Sequence, residues 1–310
     1  MKTGSGYPQK ISGTARVYET LEMQTIDTPQ AFTDPSDTSS GNYYSSANTG
    51  AQGGYFDGRY MYQSFIKFCY NKEKIDNVYV YENGRNEAYN IVKIVKWDTW
   101  THQVVAEKVF GGNVTATNWN EYISSNRVWL NHANDMTIVD GSLLIANNNP
   151  NYTTVTYLDA DTLEYEKKEE IEVALWGIDY NSTKNRYLLG KAGEMGFYIF
   201  NPGWWGGDFG IGSSMNYYEG HESATGYTKQ TICCDDKYIY CLYYGNGKNS
   251  PNTDAIVVYD WSGNFVTFIE TDFDNAEPEN VTVANGVMHI TAVSGNSVKV
   301  YRISNMEVME

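Results

Sequence analysis

The feature that most constrains this chain is a recurrence of apolar strand, tight polar turn and aromatic strand, carried by period-two runs with almost no helical periodicity. Tyr60-Met-Tyr-Gln-Ser-Phe-Ile, Ile91-Val-Lys-Ile-Val-Lys-Trp, Leu143-Leu-Ile-Ala, Ile239-Tyr-Cys-Leu-Tyr-Tyr, Ala255-Ile-Val-Val-Tyr and Val298-Lys-Val-Tyr-Arg-Ile all read as strands, rich in β-branched and aromatic residues and bounded by Gly, Asn and Asp. The strand–turn–strand unit opens five times: at Gln52-Gly53, Asn134-Asp135, Trp176-Gly177, Gln230-Thr231 and Glu279-Asn280. A third strand follows each pair and often ends in an Asp or Asn turn, as at Trp97-Asp98-Thr99, Leu158-Asp159-Ala160-Asp161, Phe200-Asn201-Pro202 and Tyr259-Asp260-Trp261. These residues cap turns and tolerate left-handed backbone, so a fourth strand can fold back on the third.

Four antiparallel strands repeated every ~40–50 residues are the pattern of a β-propeller blade, which must pack on its neighbours to bury both faces. The fold expected is all-β: a propeller of five blades, with six as the alternative. The last unit holds three good strands before Glu310, and Ala15-Arg-Val-Tyr-Glu-Thr-Leu-Glu-Met is a spare strand that would complete it and close the ring. The first unit is long: its Asp57-Gly58 turn lies 83 positions before Asp140-Gly141. Either it carries insertions at 71–90 and 111–131, or two blades are merged. Residues 1–50 are expected to form an N-terminal arm, the closing strand and a loop, and residues 51–310 the propeller.

Composition narrows the partners. Thirty-eight Asp+Glu against 22 Lys+Arg give a formal charge of −16, which argues against nucleic acid and against an anionic membrane surface. No stretch approaches the ~18 apolar residues of a membrane span. Met1-Lys-Thr-Gly-Ser-Gly-Tyr-Pro has no apolar core of a signal peptide, so either a reducing compartment, a virion assembled there, or removal of a leader is implied. Cys69, Cys233, Cys234 and Cys241 show no zinc spacing; buried free thiols are expected, with a Cys234–Cys241 hairpin link as the alternative.

The repeated opening resembles bacterial and phage propellers of the NHL/YVTN-like kind, over about residues 50–310. His132-Ala-Asn-Asp-Met-Thr with the following Ile138-Val-Asp-Gly-Ser-Leu-Leu-Ile-Ala resembles propellers of gut bacteria and their phages. Gln52-Gly53 and Trp176-Gly177-Ile178 are also similar to the blade openings of five-bladed glutamine cyclotransferases, a resemblance that implies acidic residues at the second and fourth blades. Asn134-Asp135 and Lys229-Gln230 stand there.

In such a ring the innermost strands all begin at one end of the channel. That places Gln52, Asn134, Asp135, Trp176, Gln230 and Glu279 around one mouth, with His132 beside them, as candidate ligand-binding residues. The alternative is that they cap strand ends or hold channel water. His132 with Asp135 would serve as an acid–base pair, and Asp135 with Glu279 as paired carboxylates, if the chain is an enzyme. No nucleophile elbow is present. Asp159-Ala-Asp161-Thr reads as a turn rather than a calcium loop, and the histidines lack zinc spacing. No metal or cofactor is expected. Trp97, Trp100, Trp119, Trp129, Trp204 and Trp205 lie largely in loop-like sequence, suited to a sugar or protein surface or, alternatively, to wedging between blades.

The preferred function is a non-enzymatic binding or structural module on a phage virion or other extracellular surface. Its N-terminal arm would dock on other subunits, and Trp204 and Trp205 would contact a surface glycan or protein. The alternative is an extracytoplasmic bacterial enzyme acting on glycans or of cyclotransferase type, using His132, Asp135 and Glu279.

Overall fold

The computed structural model describes residues 11–22, 24, 43–45, 50–67, 69–71, 91–110, 130, 132–147, 153–171, 173–203, 209, 214–245, 253–273 and 275–304. A short strand β1 (Ile11–Ser12) leads into β2 (Thr14–Glu22). A small pair, β3 (Tyr43–Ser45) with β6 (Cys69–Asn71), stands apart. Blade 1 is β4 (Gly50–Phe56), β5 (Tyr60–Lys67), β7 (Ile91–Asp98) and β8 (Gln103–Phe110). Blade 2 is β9 (Asp135–Val139), β10 (Ser142–Asn147), β11 (Thr153–Asp159) and β12 (Tyr165–Ile171). Blade 3 is β13 (Leu175–Asn181), β14 (Arg186–Lys191), β15 (Phe197–Asn201) and β16 (Ser214–Tyr218). Blade 4 is β17 (Thr228–Cys234), β18 (Tyr238–Tyr244), β19 (Asp254–Asp260) and β20 (Phe265–Thr271). Blade 5 is β21 (Glu277–Ala284), β22 (Val287–Ser294) and β23 (Ser297–Ser304), completed on its outer side by β2. Within each blade every pair is antiparallel.

Five blades are therefore present. The long first unit is a single four-stranded blade, so two blades are not merged in it, and 72–90 and 111–129 lie outside the described residues. The closing strand is where the sequence puts it: Ala15 lies opposite Ile303 and Leu21 opposite Val298. The chain adds a second latch. Ile11 and Ser12 run parallel to β20, opposite Ile269 and Glu270, so the leading segment holds the outer edges of both blades 4 and 5.

The core explains why single strands read as unbroken apolar runs. Five buried clusters lie between successive blades. Side chains alternate across a strand, so each strand feeds two clusters. In β10, Leu143 and Ile145 enter the cluster with blade 1, while Leu144 and Ala146 enter the cluster with blade 3. In β19, Ile256 and Val258 face blade 5, and Ala255, Val257 and Tyr259 face blade 3. The turn between the first two strands needs left-handed backbone, supplied by Asp140-Gly141 (φ 50° and 87°) and Asn285-Gly286 (φ 53° and 73°). The turn between third and fourth strands is held by its own carboxylate: Asp159 accepts from the Asp161 and Thr162 amides, and Asp260 from the Ser262 and Asn264 amides. Asp161 in turn pairs with Lys96 at 2.7 Å, so the Asp159-Ala-Asp161 stretch is turn chemistry.

Cys233, Cys234 and Cys241 are buried free thiols, and the hairpin link is not made: Cys234 lies opposite Ile239, and Cys241 opposite Ile232. Of the tryptophans, Trp97 packs on the cluster between blades 5 and 1, whereas Trp100 is 67% exposed with the Arg59 guanidinium 4.5 Å from its ring. Trp119, Trp129, Trp204, Trp205 and the arm before Ile11 lie outside the described residues.

Candidate functional site at the channel mouth

The first strands β4, β9, β13, β17 and β21 form the hub, each packed on the first strands of two neighbouring blades. Four of the five break register at the same level. Pairing skips from Ala51 to Gly54, from Leu175 to Gly177, from Lys229 to Ile232 and from Pro278 to Asn280. The residues so displaced include Gln52, Trp176, Gln230 and Glu279. In blade 2 the strand starts at Asp135, just after Asn134 and after Ala133, which holds a left-handed φ of 44°. Every blade thus departs from regular pairing where its repeat begins.

One residue further on, the chain meets the axis. Asp135 is 1% exposed and spans the hub. Its Oδ1 accepts from the Met136 amide (2.9 Å) and from Asn280 Nδ2 of blade 5 (2.5 Å). Its Oδ2 accepts from the Ile178 amide of blade 3 (2.9 Å) and from the Thr231 hydroxyl of blade 4. Two glycines make room. A Cβ at Gly53 of blade 1 would run into the Asn134 carbonyl, and one at Gly177 would lie 2.7 Å from Ile232 and 3.3 Å from Asp135 Oδ2. The second residues of the five repeats, Gly53, Asp135, Gly177, Thr231 and Asn280, thus form an axial ring around one carboxyl. Burial raises that carboxyl well above the usual carboxylate range, against the pull of its hydrogen bonds. A second carboxyl, half-buried, lies two residues past Gly177 on β13. Asp179 accepts from Thr137 Oγ1 and the Cys234 amide, both at 2.8 Å, and burial raises it too.

The first residues of the repeats stay nearer solvent: Gln52, Asn134, Trp176 and Gln230 are half-buried. His132 Nε2 meets Gln52 Oε1 at 2.7 Å, joining blades 2 and 1. The Gln52 carbonyl also accepts from Gln63 Nε2 (2.5 Å), which supports the bulge from below together with bonds to the Gly53 and Ser64 carbonyls. The expected His132–Asp135 pairing gives way to two separate attachments: the imidazole to Gln52, and the carboxylate to the axial donors. Glu279 is 8% exposed, and burial and Glu277 both raise its carboxyl well above the usual range. Gln230 Nε2 is 3.4 Å from Glu277 Oε1.

Sequence reasoning missed the rest of this rim. The hydroxyl of Tyr244, at the end of β18, is raised by burial and then by Glu277, Asp254 and Glu279. Asp254 is pushed up to about 7 by burial and then by Asp272 and Glu277, against one bond from the Gly245 amide. Lys229, one residue before Gln230, is buried toward blade 3, donates to the Gly196 carbonyl and is pushed down to about 8 by burial. Among the described residues no group of three or more His, Cys, Asp or Glu is placed to hold a metal, and no helix is long and apolar enough to cross a membrane.

No family model matches the chain, and no curated protein matches it by sequence. Among solved structures it is similar to the glutaminyl cyclase of Myxococcus xanthus, with TM-score 0.51 and 10% identity over 95% of this chain and 98% of that one. It also aligns with the Neurospora crassa Pan2 WD40 domain (TM-score 0.42, 8% identity, 82% and 89% covered). A third alignment is to the Cps50 (Swd1) β-propeller domain of Myceliophteria thermophila (TM-score 0.40, 9% identity, 83% and 98% covered). At such identities the likeness is one of fold.

Proposed function

We propose that the chain is a non-catalytic propeller that binds a hydroxyl-rich ligand, a glycan, at the bulged mouth. One observation carries this reading: the hub strands break register at one common level, and the residues displaced there are Gln52, Trp176, Gln230 and Glu279. Bulges re-aim side chains and concentrate beside functional sites. An indole, amides, a carboxyl and an imidazole at a concave mouth are the mixture that fixes a sugar, apolar face to aromatic and hydroxyls to polar groups. Asp135 belongs to the hub and not to this surface, which favours binding over chemistry. Placement on a virion or other external surface, and docking of the arm on other subunits, are parts of the same proposal and rest on composition alone.

A glycan array followed by titration calorimetry tests it. The Trp176→Ala/Gln230→Ala double variant is expected to weaken binding at least about tenfold, the ~1.4 kcal/mol of one or two lost contacts. An array without hits, or a double variant that binds as the parent does, overturns it. Trp204→Ala/Trp205→Ala then asks whether those loops share in contact.

A second reading is favoured by the whole-chain fold likeness to a glutaminyl cyclase and by Glu279, whose raised carboxyl is suited to proton donation. Under it, a peptide with N-terminal glutamine would be cyclised with loss of ammonia, and Glu279→Gln would stop the reaction. Absence of turnover in the parent protein removes this reading.

A further inference from the structure

We propose that the mouth's ligand bears a free ammonium group, seated against Glu279 between blades 4 and 5; this rests on reading the mouth as a ligand site. Among the described residues, Glu277, Glu279 and Asp254 make no ion pair. Elsewhere the chain pairs its acids: Asp98 with Arg59 at 2.6 Å, Asp161 with Lys96 at 2.7 Å, Glu107 with Lys93 at 2.8 Å. Glu279 is more than nine-tenths buried at a bulge, and among the described residues neither a hydrogen-bond donor nor a cation meets its carboxylate. The charge bearing on it is another acid, Glu277, whose own partner is the neutral Gln230 amide. Tyr244, at the end of β18 on the same side of the hub, has its hydroxyl raised by burial and then by Glu277, Asp254 and Glu279.

A buried carboxylate is costly unless a cation or donors meet it. The register break that buries Glu279 therefore makes sense if something outside the chain completes the pair. A chelated metal fits poorly, since among the described residues no three such ligands converge. An ammonium fits: it presents three donors in different directions and needs no shared coordination sphere. Of the ligands compatible with a glycan mouth, the one with this group is an amino sugar carrying an unacetylated amine. Burial and Glu277 both favour the protonated Glu279, so seating the ammonium releases protons from this cluster.

Three probes separate the claims by titration calorimetry: a glucosamine tetrasaccharide in its ammonium form, the N-acetylated tetrasaccharide, and 1,4-diaminobutane. The free amine is expected to bind at least about tenfold tighter than its acetylated counterpart, with that advantage lost in Glu279→Gln and reduced in Glu277→Gln. Both variants keep shape while removing an acid, and thermal melts verify that they fold. Equal affinity for the two oligosaccharides, or an advantage that survives Glu279→Gln, overturns the ammonium site and leaves the glycan reading standing. Diaminobutane binding that disappears in Glu279→Gln, with both oligosaccharides silent, supports the ammonium site and removes the glycan reading. Silence of all three probes overturns both.

Discussion

Two rings of side chains, one residue apart in the same five repeats, behave in opposite ways. The second residues form a closed set in which one carboxyl, one amide, one hydroxyl and two glycines satisfy each other across the hub. The first residues form an open set: three half-buried polar residues, a half-buried tryptophan and a buried carboxyl that meets no cation among the described residues. The contrast follows from the bulges. A regular strand would hold both positions in the ladder, and the extra residue takes the first of them out of pairing while the second faces the hub. Closed rings serve stability and open ones serve ligands, and each variant below tests that division.

The largest effect is expected at Asp135. Asp135→Ala leaves the Ile178 amide, Thr231 hydroxyl and Asn280 amide without their acceptor in the interior. Each unsatisfied buried group costs roughly 1–3 kcal/mol, and the sum takes much of the ~5–15 kcal/mol that holds a typical domain. Denaturant titration should show a large fall in midpoint or no folded protein. A mild loss would mean that the hub is held by the inter-blade clusters alone.

Gly53→Ala comes next. Its Cβ would meet backbone, the Asn134 carbonyl and the Asp135 amide, so no rotamer change relieves the clash and blades 1 and 2 must part. Overpacking of this kind costs roughly 1–3 kcal/mol. A thermal melt within a degree of the parent would show that blade 1 does not press on the axis.

The acids of the rim give the chain a stability that depends on pH in a definite direction. In the fold Asp254 is raised from 3.8 to about 7, so the folded state holds this proton more tightly than the unfolded one. Its contribution is complete below about 4 and is lost as pH rises toward 7; Glu277 and Glu279 act in the same sense. Asp98 acts oppositely. Bonded to Arg59 and lowered to about 2, it stabilises above its unfolded value of 3.8 and loses that contribution as pH falls toward 2. Between pH 4 and 7 His289, lowered by burial to about 4, also opposes Asp254, since its contribution is lost as pH falls. The clean readout is therefore a difference: from pH 4 to 7 the melting temperature of Asp254→Asn should gain on that of the parent. Parallel profiles for the variant and the parent between 4 and 7 would contradict the raised Asp254 carboxyl.

How much of this was legible beforehand depends on how far apart the parts lie in sequence. The repeat openings name both rings, and Gln52, Asn134, Asp135, Trp176, Gln230 and Glu279 stand at the predicted end of the hub. The closing strand was legible because blade 5 ends one strand short and Ala15-Arg-Val-Tyr supplies it. Asp135's true role was not legible, since its partners Thr231 and Asn280 lie in other blades and reach it only through bulges that no periodicity marks. Tyr244, Asp254 and Glu277 escaped for a related reason: they join the rim from strand ends of blades 4 and 5 that only the ring brings together. The latch Ile11–Ser12 is too short to show a period at all.

The smallest effect is expected at Gln52, and it discriminates most sharply between the rings. Its carbonyl anchors Gln63 Nε2 at 2.5 Å, but any residue supplies that carbonyl. What Gln52→Ala removes is the 2.7 Å contact of Oε1 with His132 in a half-buried place. A hydrogen bond of this sort contributes roughly 0.5–1.5 kcal/mol, and water can replace part of it at the mouth. The melt should move little, while ligand affinity falls. Should Gln52→Ala destabilise the chain as much as Asp135→Ala, the open ring would be structural like the closed one, and the mouth would lose its claim to a ligand.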